Sequence, residues 1–129
     1  MRTILCLVLA VFTTEALGGR DSFSCEVKNA MALTDNGTVT RASGFLALAV
    51  GKTFAINRRS GVVLGEFLGN SRALEKRIVA DGTAQNAYIL FSINGPEADY
   101  IYVEAENRAD KKPFLAVTQG KAVLSGFCN

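Results

Sequence analysis

The sequence predicts an all-β fold, a small antiparallel meander forming a sandwich or barrel and closed by one disulfide between its N- and C-terminal strands. Three observations predict it. Short apolar runs alternate with turn-forming clusters at intervals of roughly ten residues. No stretch beyond residue 19 carries a helical period of useful length. Two cysteines, Cys25 and Cys128, stand near the two ends of that region.

The first nineteen residues set the compartment. Met1 and Arg2 lead into an unbroken apolar run, ILCLVLAVF, followed by the polar and small segment TTEALGG. That is the layout of a secretory signal peptide, whose apolar core is too short to span a bilayer as a mature helix. Cleavage is expected after Ala16, Gly18 or Gly19, with Ala16-Leu17-Gly18 the best small-x-small site. Residues 1–19 are therefore read as a signal peptide and residues 20–129 as a single β domain, secreted or periplasmic, with no membrane span after cleavage. Cys6 lies inside the apolar core, so it is not placed as a lipid-modified N-terminus. Removing it leaves an even pair, and in an oxidising compartment an even pair reads as one bridge, Cys25–Cys128. Chain-entropy reasoning assigns a loop of about 100 residues a stabilisation of about 4–5 kcal/mol. That is comparable with the net stability of a small domain.

Strands are expected over residues 23–28, 32–34, 38–41, 45–50, 53–57, 62–67, 77–80, 87–93, 100–106, 114–118 and 122–127. The breakers between them are explicit: Asp35-Asn36-Gly37, Gly51-Lys52, Arg59-Ser60-Gly61, Asp81-Gly82, Asn94-Gly95-Pro96 and Gln119-Gly120-Lys121. Asn-Gly between β-forming residues is the strongest short hairpin signal. Residues 70–76 (NSRALEK) have the composition of one helical turn capped by Asn70 or Ser71.

The segment FAINRRSGVVLGEFLGN, residues 54–70, raises the question of an anion-binding loop. A phosphate loop leads from glycines into a helix whose first amides face the anion. Here the turn leads into Val62-Val63-Leu64, a strand-forming run, so Arg58-Arg59-Ser60-Gly61 reads as a hairpin loop with Gly61 at the left-handed position. Gly65 reads as a bend where another backbone comes close. Arg58 and Arg59 remain candidates for a forked contact with a carboxylate or phosphate.

Composition removes whole classes of chemistry. The chain has 14 Lys+Arg, 12 Asp+Glu and no histidine. With Arg2 and Glu15 set aside the charge stays near neutral, which gives no basic surplus for nucleic acid. Without imidazole, and with both thiols committed to a bridge, neither a catalytic triad nor a zinc or copper site is expected, and no cofactor is implied. Asp35 and Asp81 offer one acid per turn, short of a calcium loop. Paired carboxylates do occur, Glu104 with Glu106 on one strand face and Glu97 with Asp99 in a turn, at separations open to glycosidase chemistry. The sequon Asn36-Gly37-Thr38 offers a glycan acceptor in a eukaryotic secretory pathway.

The most specific surface signal is in AYILFSI (87–93) and DYIYVEAE (99–106). A hairpin through residues 94–98 that pairs Ser92 with Tyr100 and Leu90 with Tyr102 places Tyr88, Tyr100 and Tyr102 on one face, bordered by Glu104. The opposite face, rich in Ile, Phe and Val, is then the core. Tyrosine combines apolar area with a hydroxyl and is enriched in contact surfaces. The candidate binding residues are therefore Tyr88, Leu90, Tyr100, Tyr102, Glu104, Arg58 and Arg59. The leading expectation is a non-enzymatic binding or inhibitor module for another exported or envelope protein. A small-ligand carrier with an apolar barrel interior and a carboxylate-based hydrolase are the two alternatives.

Overall fold

The computed structural model of the protein describes residues 21–83, 85–118 and 120–129. The expected signal peptide, Cys6 and Gln119 lie outside them. Among the described residues the chain forms nine strands: β1 (Ser22–Leu33), β2 (Val39–Arg41), β3 (Thr53–Asn57), β4 (Val63–Gly65), β5 (Glu75–Asp81), β6 (Tyr88–Asn94), β7 (Glu97–Val103), β8 (Lys112–Thr118) and β9 (Ala122–Cys128). All neighbours are antiparallel, in the order β4-β3-β1-β9-β8-β7-β6-β5, with β2 paired to the far end of β1. The run β5 to β9 is the expected meander. The first strand then joins the last, and Cys25 and Cys128 are directly opposed and bridged across that ladder.

The sheet curls into a half-barrel, and its concave side is the core. Alternate residues turn inward: Phe23, Cys25 and Val27 from β1, Phe54 and Ile56 from β3, Leu90 from β6, Ile101 and Val103 from β7, Phe114 and Ala116 from β8, and Leu124 from β9. The rings report the curl directly. Phe23 on β1 meets Tyr88 on β6 edge-on with centroids 5.5 Å apart, although β9, β8 and β7 stand between those strands in the sheet. Phe54 on β3 meets Phe114 on β8 at 5.1 Å in the same way.

A bulge in β1 is part of this bend. The register with β9 shifts between Val27 and Asn29, so Lys28 and Asn29 are both exposed and the inward parity passes from Val27 to Ala30. Bulges increase local twist and bend the strand that carries them. Gly126 lies across from this point, where a Cβ would come within 2.0 Å of the Glu26 carbonyl oxygen. No side chain fits there. Gly65 is a second close approach, with Phe54 Cβ 2.6 Å from where its own Cβ would be, as the sequence implied. The hairpin over Arg58–Gly61 also forms as expected, with the Gly61 amide on the Asn57 carbonyl at 2.9 Å.

Four expectations need correction. Residues 45–50 are not a strand: Gly44–Ala49 is a 3₁₀ helix that drops Ala49 into the core. The run Phe-Leu-Ala-Leu-Ala lacks β-branched residues and is made mostly of good helix formers. Residues 32–34 are not a separate strand, because β1 runs on to Leu33. Residues 70–76 form no helical turn, since Asn70 does other work: its Oδ1 accepts from the Val63 amide at 2.7 Å, and its Nδ2 donates to the Gly61 carbonyl at 2.6 Å and to Ser92 Oγ at 2.9 Å. Finally, β7 spans Glu97–Val103 rather than 100–106, because Gly95-Pro96 closes the β6–β7 hairpin in two residues.

The bulge contact predicts a large local effect. Gly126→Ala is expected to lower the free energy of unfolding in urea by more than about 2 kcal/mol, at the upper end of overpacking costs. Ser125→Ala, one residue away on the outer side, is expected to stay within about 0.5 kcal/mol of the parent.

Candidate outer-face binding site

The two-residue turn decides where the tyrosines go. The observed β6–β7 register pairs Tyr88 with Val103, Leu90 with Ile101, Phe91 with Tyr100 and Ile89 with Tyr102. This is a slip of one residue from the expected pairing, and a slip of one moves a strand's whole side-chain set to the other face. The three tyrosines therefore do not share a face. Tyr88 and Leu90 are fully buried in the concave core, while Tyr100 and Tyr102 lie on the convex side with Ile89, Phe91 and Ile93. On β6 the side expected to be core is the outer one, while on β7 Ile101 and Val103 face the core as expected.

Two cross-strand rows run over that convex side. Phe91, Tyr100, Val117, Val123 and Met31 are successive direct partners on β6, β7, β8, β9 and β1. Beside them run Ile89, Tyr102, Leu115, Ser125 and Asn29. Phe91 and Leu115 are 37% and 39% exposed, and the Phe91 and Tyr100 rings sit 5.2 Å apart. An antiparallel sheet packed on one side usually alternates apolar inside with polar outside. Here β6, β8 and β9 (YILFSIN, KPFLAVT, AVLSGFC) are apolar on both faces over much of their length. That double parity was the available sign that Phe91, Leu115 and Val117 belonged with the tyrosines.

Glu104 and Glu106 border the Tyr102 end. They follow β7 rather than sit on it: the Ala105 amide bonds the Val103 carbonyl at 2.7 Å and the Asn107 amide bonds the Glu104 carbonyl at 3.0 Å, so the chain turns there. The expected pair of carboxylates on one strand face is therefore absent, and Glu97 and Asp99 likewise belong to β7 rather than to a turn. Glu104 Oε2 accepts from Asn107 Nδ2 at 3.3 Å, and Glu106 Oε2 is buried without a hydrogen-bond partner among the described residues. Tyr102 titrates above its ordinary value, first through partial burial and then through the negative charges of Glu106 and Glu104 and the neighbouring Tyr100.

The two arginines diverge. Arg59 reaches Asp21, Nε to Oδ1 at 3.3 Å, on the open surface. Arg58 turns across the gap between the two ends of the sheet. Its guanidinium donates to the carbonyls of Asp81 and Gly82 at the end of β5 and lies 4.7 Å from the centre of the Phe23 ring. Arg58 is thus a clasp between the lips of the half-barrel and does not form a fork with Arg59. Asn36 is exposed on the β1–β2 loop, its Oδ1 accepting from the Thr38 hydroxyl at 2.7 Å. Among the described residues no three His, Cys, Asp or Glu side chains are grouped to hold a metal ion. No protein-family model, curated protein or solved structure matches the chain.

Burial explains Tyr88. Its hydroxyl has no hydrogen-bond partner among the described residues, and its pKa is pushed up to about 12 by desolvation, against a smaller downward pull from Arg58. A phenol held neutral in the fold stabilises it fully below pH 10, its ordinary value, and this contribution is lost as the pH rises toward 12. Tyr88→Phe is expected to raise stability at neutral pH by about 1 kcal/mol, since it removes an unsatisfied buried hydroxyl. Urea titrations at several pH values should also show a smaller alkaline loss in this variant than in the parent. Arg58→Met keeps the apolar stem and removes the clasp. Hydrogen exchange should then quicken in β5 and at Gly82, with a stability loss of about 1 kcal/mol.

Proposed function

We propose that the protein is an exported, non-enzymatic binding module that engages another macromolecule, as a partner or an inhibitor, through the convex face of β6 to β9. The observation that carries this reading is the two-sided apolar character of those strands. Their inner residues fill the core, and their outer residues leave a continuous aromatic and aliphatic band half exposed to water. Bands of this kind mark contact sites on soluble domains, and Tyr and Phe are the residue types enriched there. Export is supported by the signal-like first nineteen residues together with the Cys25–Cys128 bridge, since bridges of this kind persist in oxidising compartments.

The carrier alternative draws no support from the concave side, where Phe23 packs on Tyr88 and Phe54 on Phe114 in the space a ligand would need. The hydrolase alternative loses the strand geometry that suggested it, because Glu104 and Glu106 lie in a turn.

Affinity capture from an envelope or secreted extract tests the reading, with residues 20–129 in the oxidised form as bait and the captured partner re-bound in purified form. A Phe91→Ser/Tyr100→Ser/Leu115→Ser variant is expected to lose the partner. It should keep the parent's far-UV spectrum and most of its stability, because outer cross-strand pairs contribute only about 0.2–1 kcal/mol each. Undiminished binding by this variant would refute the outer face, and a co-purifying small molecule would favour the carrier.

A further inference from the structure

We infer that the partner of this outer face is cationic, and that it places an arginine or lysine side chain beside Tyr102 between Glu104 and Glu106 while its apolar groups cover Phe91 and Leu115. The inference rests on the proposed role of the outer face and adds the chemistry of what that face accepts.

Charge complementarity carries it. The ion pairs among the described residues are Lys28–Glu26, Lys52–Glu66, Arg59–Asp21, Arg77–Glu75 and Lys121–Asp35. Neither Glu104 nor Glu106 belongs to one. The cations nearest along the chain form no ion pair with them: Lys112 directs its Nζ to the Asn107 carbonyl, and the exposed Arg108 and Lys111 are in no ion pair among the described residues. Among the described residues the Glu104 carboxylate is met by the neutral Asn107 side-chain amide, and Glu106 keeps one carboxylate oxygen buried with no donor. Both carboxylates are part-exposed and in no ion pair among the described residues, so this end of the face gains most from a donor that brings positive charge.

The aromatic residues favour the same choice. Tyr102 stands on the outer side of β7, and the Glu104 amide continues the ladder to the Pro113 carbonyl at 2.9 Å, which keeps Glu104 on that side. Partial burial raises the Tyr102 phenol, and the charges of Glu106 and Glu104 add to that rise. A tyrosine face attracts a Lys or Arg head electrostatically. A guanidinium or ammonium arriving here therefore meets two carboxylates and an aromatic ring at once. The aliphatic stem behind that head can lie along Leu115, the direct cross-strand partner of Tyr102. An acidic or neutral partner would leave both carboxylates uncompensated beneath a covered face, which is the costly arrangement for buried charge.

The test uses the oxidised 20–129 protein labelled for amide NMR and three capped peptides: Leu-Ser-Arg-Ser-Leu and its counterparts with Gln or Glu at the centre. The arginine peptide is expected to shift the amides of Tyr100, Tyr102, Glu106 and Leu115 and to bind about fivefold or more tightly than the glutamine peptide, the glutamate peptide being weakest. The preference should shrink as salt is raised. It should disappear in Glu104→Gln/Glu106→Gln, whose remaining amide spectrum matches the parent. Equal affinity of the arginine and glutamine peptides for the same amides would overturn the cationic partner and leave the outer face standing. Shifts confined to other surfaces, no binding of any peptide, or an arginine preference that survives the double variant would each overturn it as well.

Discussion

The antiparallel ladder between β1 and β9 joins the first and last strands in the middle of the sheet, and the other strands extend from it on either side. β3 and β4 continue from the outer edge of β1, and the meander back to β5 continues from β9. Cys25 and Cys128 are direct partners in this ladder, 103 residues apart in sequence. The bridge therefore adds little geometry to the folded state, because hydrogen bonds already hold those backbones together. Its effect falls on the unfolded chain, whose freedom it removes over nearly the whole domain. The same ladder carries the β1 bulge opposite Gly126, so the site that connects the two halves of the sheet is also a site where it bends.

Curling the sheet leaves two ends that must be kept from pairing with other chains. β4 is only three residues long, and β5 carries Glu75, Lys76, Arg77 and Asp81 with a register shift between Ile78 and Ala80. Short edges, charges and bulges are the usual protections against edge-to-edge association. Across the gap the contacts come from loops and side chains rather than a ladder. Arg58 reaches the Asp81 and Gly82 carbonyls, Asn70 holds Ser92, and Gly61 packs so closely on Leu90 that a Cβ would lie 2.9 Å from Cδ1. The apolar outer band is therefore exposed on a molecule whose strand edges are otherwise guarded.

Much of this architecture was legible in the sequence, and the missed register and the missed site share one cause. The bridge followed from the cysteine count and the expected compartment. The residue range 53–57 was read correctly because Thr-Phe-Ala-Ile-Asn alternates clearly between the flanking turns. Hairpins at Asn36-Gly37 and Ser60-Gly61 follow from residues that tolerate left-handed backbone. The β6–β7 register was missed because burial patterning distinguishes two faces only when one of them is polar. In YILFSIN and DYIYV either parity makes a plausible core, so the length of the turn alone decides, and Gly95-Pro96 gave a loop of two residues where one of five was expected. The same ambiguity hid the candidate site. Tyr88 looked like a contact residue by its type and proved to be core, while Phe91 looked like core and lies outside. Arg58 illustrates a different limit: its partners are backbone carbonyls more than twenty residues away, and no local pattern announces them.

The bridge at Cys25–Cys128 also governs how the fold would respond to mechanical tension. A load applied beyond these two residues passes from one strand to the other through the sulfur–sulfur bond, and the 102 residues enclosed between positions 25 and 128 lie off that path. The core, the bulge and the outer face would stay slack while the covalent link carried the force. In the reduced protein the same pull would act on the β1–β9 ladder itself, and the half-barrel would open from its middle.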